Sequence, residues 1–197
     1  MRDQKSGRSS EYEFGRVTAH RSTVQKREQK VTRFHLAQAN IGRLRAPVED
    51  PIMEGFRSQL DPINALADRS PGFVWRLQTE DGNALAIRPF ADERMAINMS
   101  VWESLEALQQ FVYRSAHVGP LRDRTQWFEP IEGPILVLWW IPAGHVPTVA
   151  EALERLGHLK QRGPSAYAFT FRMPFPSPDE QSKDVTGLEA TLCEWAT

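Results

Sequence analysis

The chain has 197 residues, 41% of them hydrophobic and 25% charged, with a formal net charge of -1. This is the composition of a globular domain with a core, and a chain so close to neutral sets up no global field for nucleic acid or an anionic membrane. Its single cysteine, Cys193, excludes an internal disulfide and a cysteine-built zinc site and gives no sign of an oxidising compartment, so the cytoplasm is the expected location.

Residues 1–32 are polar and rich in Arg and Lys, with isolated apolar residues such as Phe14 and Val17 and neither a strand nor a helix period. They are expected to form a disordered basic extension. Met1–Ser6 leads into no apolar stretch of the kind a signal peptide needs. The aromatic interleaving of a nucleic-acid arm is missing as well.

The globular domain is expected over 33–175. Phe34–Ile41 reads as a first strand. Asp50 is the N-cap and Pro51 the first residue of a helix over 51–69, where Met53, Phe56, Leu60, Ile63 and Ala67 recur at helical spacing. Pro62 falls inside that pattern and is expected to kink it. Ser70-Pro71-Gly72 stops the helix, and Phe73–Gln78 is a second strand. Thr79–Asn83 is a turn, and the connection on to Arg94 is long for a hairpin.

Ala96–Glu103 then runs as a strand directly into a helix opening at Ser104, with Leu105, Leu108, Phe111, Val112 and Ser115 as its inner stripe. A short helical piece ends at Trp127–Pro130. Ile135–Ile141 is almost fully apolar, which signals a strand buried on both faces. A helix follows Pro147 with Thr148 as its cap, Gly163-Pro164 breaks it, and Ala168–Phe171 is a last short strand. Residues 176–197 turn acidic and proline-rich and are expected to be a mobile tail.

The order β-α-β-β-α-β, then α and β, is an α+β, ferredoxin-like split βαβ with an appended helix and strand. Two helices on one face leave the other face bare. Trp75, Trp139 and Trp140 are too many large aromatics to face water, so a second copy is expected to bury that face in a homodimer.

Several stretches occur in an order that resembles a bacterial domain-of-unknown-function family: Leu36–Ile41, Pro71–Leu77, Ser100–Leu108, Tyr113–His117 and Leu138–His145. That family in turn resembles the dimeric α/β-barrel superfamily, antibiotic-biosynthesis monooxygenases included. The resemblance covers about residues 33–175. It implies a dimeric α/β barrel and leaves the chemistry open, because the superfamily includes cofactor-free monooxygenases, haem-binding enzymes, isomerases and proteins without known activity.

Strand alternation supplies the candidate site. Gln38 and Asn40 share one face of the first strand, and Asn98, Ser100 and Trp102 share one face of the third. Arg76 is expected on the face opposite Phe73, Trp75 and Leu77. If these polar faces coincide, Asn40, Arg76, Asn98, Ser100 and Trp102 converge on a ligand pocket; the competing expectation is that they satisfy one another. His117, at the end of the second helix, is the candidate general base or haem ligand, set against a plain helix-capping histidine. His35, His145 and His158 are expected to be structural, and no metal site is expected from local spacing. The run Arg114, Arg122, Arg124 is either a solvated helix face or an anion-binding rim.

The function expected is therefore small-molecule binding, with a cofactor-independent, monooxygenase-like reaction on an aromatic or polyketide-like compound as the leading activity. The alternatives are a non-catalytic ligand-binding or stress-associated module and a haem-binding protein. No nucleic acid, membrane or resident cofactor is expected.

Overall fold

The computed structural model describes residues 33–114 and 124–180; His117 lies outside them. A single antiparallel sheet contains strands β1 (Phe34–Leu44), β2 (Phe73–Arg76), β3 (Met95–Trp102), β4 (Phe128–Glu129) and β5 (Leu136–Pro142). Helices α1 (Glu54–Asp68), α2 (Leu105–Arg114) and α3 (Val149–Arg162) connect and flank them.

β1 is the axis of the sheet. β3 runs along one edge of it from Leu36↔Trp102 to Arg43↔Met95, and β2 pairs outside β3. The other edge is shared: β5 takes Phe34 to Asn40, and β4 takes Arg43 and Leu44. The strand order β2-β3-β1-β5 is the ferredoxin-like order expected from the sequence.

Local chemistry explains the helix ends. The Asp50 carboxylate accepts from the Ile52 N–H at 3.0 Å and Pro51 opens a 3-10 turn that leads into α1. The helix then continues without a break through Pro62. Ser104 Oγ accepts from Ala107 N at 3.1 Å, and Thr148 Oγ1 from Glu151 N at 3.1 Å. Gly72 has φ +78° and Gly163 φ +77°, a left-handed region open to glycine, so the chain reverses after α1 and α3 at these points.

Two expected elements come out differently. Arg124–Gln126 is a 3-10 turn, and Phe128–Glu129, assigned above to a helical end, is strand β4. The last strand is reduced to isolated bridges, of which Leu138↔Phe169 reaches the sheet.

The two sheet faces carry separate cores. On the inner face, Leu36, Trp102 and Leu138 pack with Ala67 of α1, Leu108 of α2 and Phe169. On the outer face, Ala37, Ala39, Met99, Val101, Val137, Trp139 and Ile141 pack beneath Ala152 and Leu159 of α3. The face expected to await a second copy is thus covered by the chain's own third helix. Trp139 is fully buried there, its Nε1 donating to Glu151 Oε1 at 2.9 Å. Trp140 points to the inner face, where its Nε1 donates to the Phe175 carbonyl at 2.8 Å. Adjacent strand residues alternate, so Trp139 is buried on one face and Trp140 is half-buried on the other, and the pair does not call for one partner over both.

The chain beyond Pro176 also differs from expectation at its start. Asp179 accepts from Arg33 N at 2.8 Å, Arg33 Nε at 2.9 Å and Phe34 N at 3.2 Å, and Ser177 is buried. Residues up to Glu180 therefore dock on the start of β1. Residues 1–32 and 181–197, the other parts expected to be tails, lie outside the described residues. Among the described residues no helix is long and apolar enough to cross a membrane.

Candidate functional site

Between the inner sheet face and helices α1 and α2 lies a cavity of about 1150 Å³. One wall is the helical stripe Phe56, Leu60, Ile63 and Ala67 of α1, and another is Leu108, Phe111 and Val112 of α2. The floor is sheet. Gln38, Asn40, Asn98, Ser100 and Trp102 all face the cavity, because the register places Gln38 opposite Ser100 and Asn40 opposite Asn98 on one side of the pleat. A largely apolar cavity with a few convergent polar groups has the usual make-up of a small-molecule site.

Aromatic contacts fix its inner end. Trp102 is buried, stacks on Phe111 with centroids 5.0 Å apart and meets Phe73 edge-on at 5.3 Å. At the other end Gly42 makes room for Phe128: a Cβ on Gly42 would come within 2.6 Å of that ring. The glycine is what lets β4 lay its phenyl ring across β1.

The polar floor is wired. Trp102 Nε1 donates to Ser100 Oγ at 2.9 Å, Ser100 Oγ donates to Gln38 Oε1 at 2.9 Å, and Gln38 Nε2 donates to Asn40 Oδ1 at 2.8 Å. Gln38 and Ser100 are buried, Asn40 is half-buried and Asn98 is exposed. Ser100, Trp102 and Gln38 thus satisfy one another, and the two asparagines stand at the open end of the cavity.

Arg76 lines the same cavity, but its guanidinium is engaged elsewhere. Nε and Nη2 hold Asp68 at 2.8 and 3.2 Å, and Nη1 donates to the Gly82 carbonyl at 2.6 Å. A bulge between Phe73 and Trp75 puts Phe73 and Arg76 on the cavity side, with Trp75 packed on the outer face. Phe73 and Trp75 thus do not share a face, contrary to simple alternation. The loop that Arg76 holds contributes Asn83, Ala84 and Leu85 to the cavity, while Ile87 and Phe90 reach the outer core. The long 79–95 connection wraps the sheet edge.

Glu129 and Arg45 line the far end. Glu129 is bound by Arg43 at 2.7 Å and by Arg94 at 3.0 Å, so its carboxylate is part of a clamp between β1, β4 and the approach to β3. Sequence reasoning missed this end and the aromatic wall from Phe56, Trp127 and Phe128. The α1 stripe was legible as an apolar face, but nothing in its spacing distinguishes a face that packs on a sheet from one that borders a cavity.

Residues 35–185 match the model of a family described as a domain of unknown function, DUF3291. The chain belongs to that family. The match continues past Pro176, in line with the docking of Asp179. No curated protein matches this member of the DUF3291 family.

Several solved structures are similar. A variant of SnoaB, a cofactor-independent oxygenase from Streptomyces nogalater, is 14% identical over 58% of this chain and 97% of its own, with a TM-score of 0.36. The ActVA-Orf6 monooxygenase of Streptomyces coelicolor, solved with nanaomycin D, is 14% identical over 59% and 95%, with a TM-score of 0.37. A haem-degrading protein of Mycobacterium tuberculosis is 16% identical over 59% and 99%, with a TM-score of 0.32. Similarity at this level assigns neither a residue nor a reaction to the DUF3291 chain.

None of the described histidines His35, His145 and His158 lines the cavity. Among the described residues no group of three or more His, Cys, Asp or Glu is placed to hold a metal ion. The described walls therefore offer no imidazole to haem iron.

Proposed function

We propose that this protein binds a small, flat, largely apolar molecule in the cavity between the inner sheet face and helices α1 and α2. The observation that carries this reading is the convergence of Asn40, Asn98, Ser100 and Trp102, from two neighbouring strands, on one aromatic-walled cavity of about 1150 Å³. The test is direct. Protein purified from cells is denatured, and the released small molecules are identified by mass spectrometry. An empty protein that also fails to bind aromatic ketones in calorimetry overturns the proposal.

The finer reading is a cofactor-independent, monooxygenase-like enzyme acting on an aromatic or polyketide-like compound. In such chemistry the substrate, deprotonated beside its carbonyl, delivers the electrons to dioxygen, and one oxygen atom enters the product while the other leaves as water. In this reading the carboxamides of Asn40 and Asn98, which line the cavity, hold the enolate oxygen. The base in this reading is His117, since Glu129 is committed to Arg43 and Arg94. Oxygen uptake with an anthrone-type substrate tests it, and uptake equal to the uncatalysed rate removes it in favour of a non-catalytic binding module.

Haem binding through His117 draws no support from the described walls, and titration with hemin without a Soret shift eliminates it. Self-association rests on the family resemblance, because α3 covers the outer face. Light scattering at micromolar concentration decides it.

A further inference from the structure

The direction of the hydrogen-bond chain across the cavity floor has a consequence for what the site accepts. It begins at an indole nitrogen, which is a donor and nothing else. Trp102 is fully buried, so this N–H needs an acceptor, and Ser100 Oγ lies at 2.9 Å. The Ser100 hydroxyl has one proton of its own, which goes to Gln38 Oε1 at 2.9 Å. The Gln38 amide then has its oxygen facing Ser100 and its NH2 facing Asn40. Gln38 Nε2 donates to Asn40 Oδ1 at 2.8 Å. Asn40 Oδ1 is thereby turned toward Gln38, which leaves the NH2 arm of the same carboxamide for the cavity. Only the first link has a role fixed by chemistry, the indole N–H; from there the structure records one direction all the way to Asn40.

We propose that Gln38 and Ser100 are positioning residues that hold the Asn40 carboxamide with its donors toward the ligand, so that the site selects molecules presenting a hydrogen-bond acceptor oxygen, such as an aromatic ketone or quinone, over isosteres presenting an N–H. This deepens the ligand-binding reading above and rests on it. Asn98, opposite Asn40 in the register and outside the relay, can turn to suit either partner. Discrimination therefore lies with Asn40. A ligand N–H brought against Asn40 Nδ2 leaves two donors facing each other, and a buried donor without an acceptor is costly.

Three flat probes of nearly equal shape separate the possibilities: fluorenone carries an acceptor oxygen, carbazole a donor N–H, and fluorene neither. In calorimetric titrations the wild-type protein is expected to bind fluorenone about tenfold more tightly than fluorene, and carbazole no better than fluorene. Gln38→Glu replaces the central amide by a group that only accepts. Ser100 still donates to it, Asn40 must turn its NH2 toward it, and Asn40 Oδ1 then faces the cavity. The preference is expected to invert, with carbazole gaining and fluorenone losing. Ser100→Ala, a smaller change, frees Gln38 to take either orientation and is expected to level the three affinities.

Equal binding of fluorenone and fluorene by the wild type overturns the proposal and leaves the ligand-binding reading intact. The same holds if the fluorenone preference survives unchanged in Gln38→Glu or, should that variant not fold, in Ser100→Ala. Failure of all three probes to bind the wild type overturns the proposal, and where the protein is also purified empty it overturns the ligand-binding reading with it.

Discussion

Arg76 grips Asp68 through two nitrogens, Nε at 2.8 Å and Nη2 at 3.2 Å. The pair ties β2 to the end of α1, and the third arm of the guanidinium holds the Gly82 carbonyl, where Asn64 Nδ2 also donates at 3.3 Å. Arg76 is thus a latch for the 79–85 loop at the cavity rim. Arg76→Met is expected to lower stability by about 1–2 kcal/mol, measured by urea denaturation. It should also increase hydrogen exchange in the loop. Unchanged stability together with lost ligand affinity would instead make Arg76 a direct ligand contact.

Asn98 is the complementary case. Its side chain is exposed on the cavity floor, so Asn98→Ala should stay within about 0.5 kcal/mol of wild-type stability. Affinity for an aromatic ketone is expected to fall by about tenfold, as for one lost hydrogen bond. Parallel losses of stability and affinity would place Asn98 in the framework.

How much of this was legible depended on whether a strict period applied. Period two along β1 and β3 put Gln38, Asn40, Asn98, Ser100 and Trp102 on one side, and in the register these residues lie opposite or beside one another along the cavity. The caps at Asp50 and Thr148 were legible because they are local chemistry. The bulge in β2 was not: a one-residue irregularity moved Phe73 and Trp75 to opposite faces, and the residues Phe73-Val74-Trp75 carry no glycine or proline to announce it. The landing face of α3 was not legible either. Amphipathic spacing says that a helix has an apolar stripe, not which face of a distant sheet receives it. The separate fates of Trp139 and Trp140 followed from alternation alone, so the expectation that one partner would cover both neglected the rule applied to β1.

Gly72 carries a steric demand beyond its turn. Its φ is +78°, and a Cβ there would lie 2.6 Å from the Ala107 Cβ of α2. Gly72→Ala therefore meets backbone strain and a clash with a short, rigid side chain. A loss of about 2–4 kcal/mol in chemical denaturation is expected. A variant as stable as wild type would show that α2 can withdraw from the β2 turn.

Acid should weaken the outer layer. Burial pushes the Glu151 carboxyl up, but hydrogen bonds from His145 and Trp139, with the charges of His145 and Arg155, outweigh it and hold the group below its ordinary range. Asp179 is likewise raised by burial and lowered further by the Arg33 and Phe34 donors. A carboxyl with a depressed folded-state pKa adds stability that is full above its unfolded value and vanishes as pH falls through the folded one. Thermal midpoints should therefore be flat near neutrality and fall as the solution is acidified through the carboxylate range. Glu151→Gln should blunt that fall. An identical acid limb in the variant would assign the sensitivity to other carboxylates.

His117 remains the proposed base of the enzymatic reading. His117→Ala should leave the fold intact and cut oxygen uptake by about 10²–10⁴-fold. Should uptake persist while the midpoint drops, His117 is a helix cap.

The central position of β1 also bears on the order in which the chain assembles during synthesis. Its two edges belong to strands far along the chain: Leu36 must meet both Trp102 and Trp140. Among the described strands the first to emerge from the ribosome is therefore the last to be flanked on both sides, and the amide groups on its β5 edge stay open to other partners until Pro142 is out. Contacts of such long sequence separation slow folding and lengthen exposure to aggregation. A nascent-chain chaperone that holds extended apolar segments would find β1 available from its emergence until β5 has followed it out.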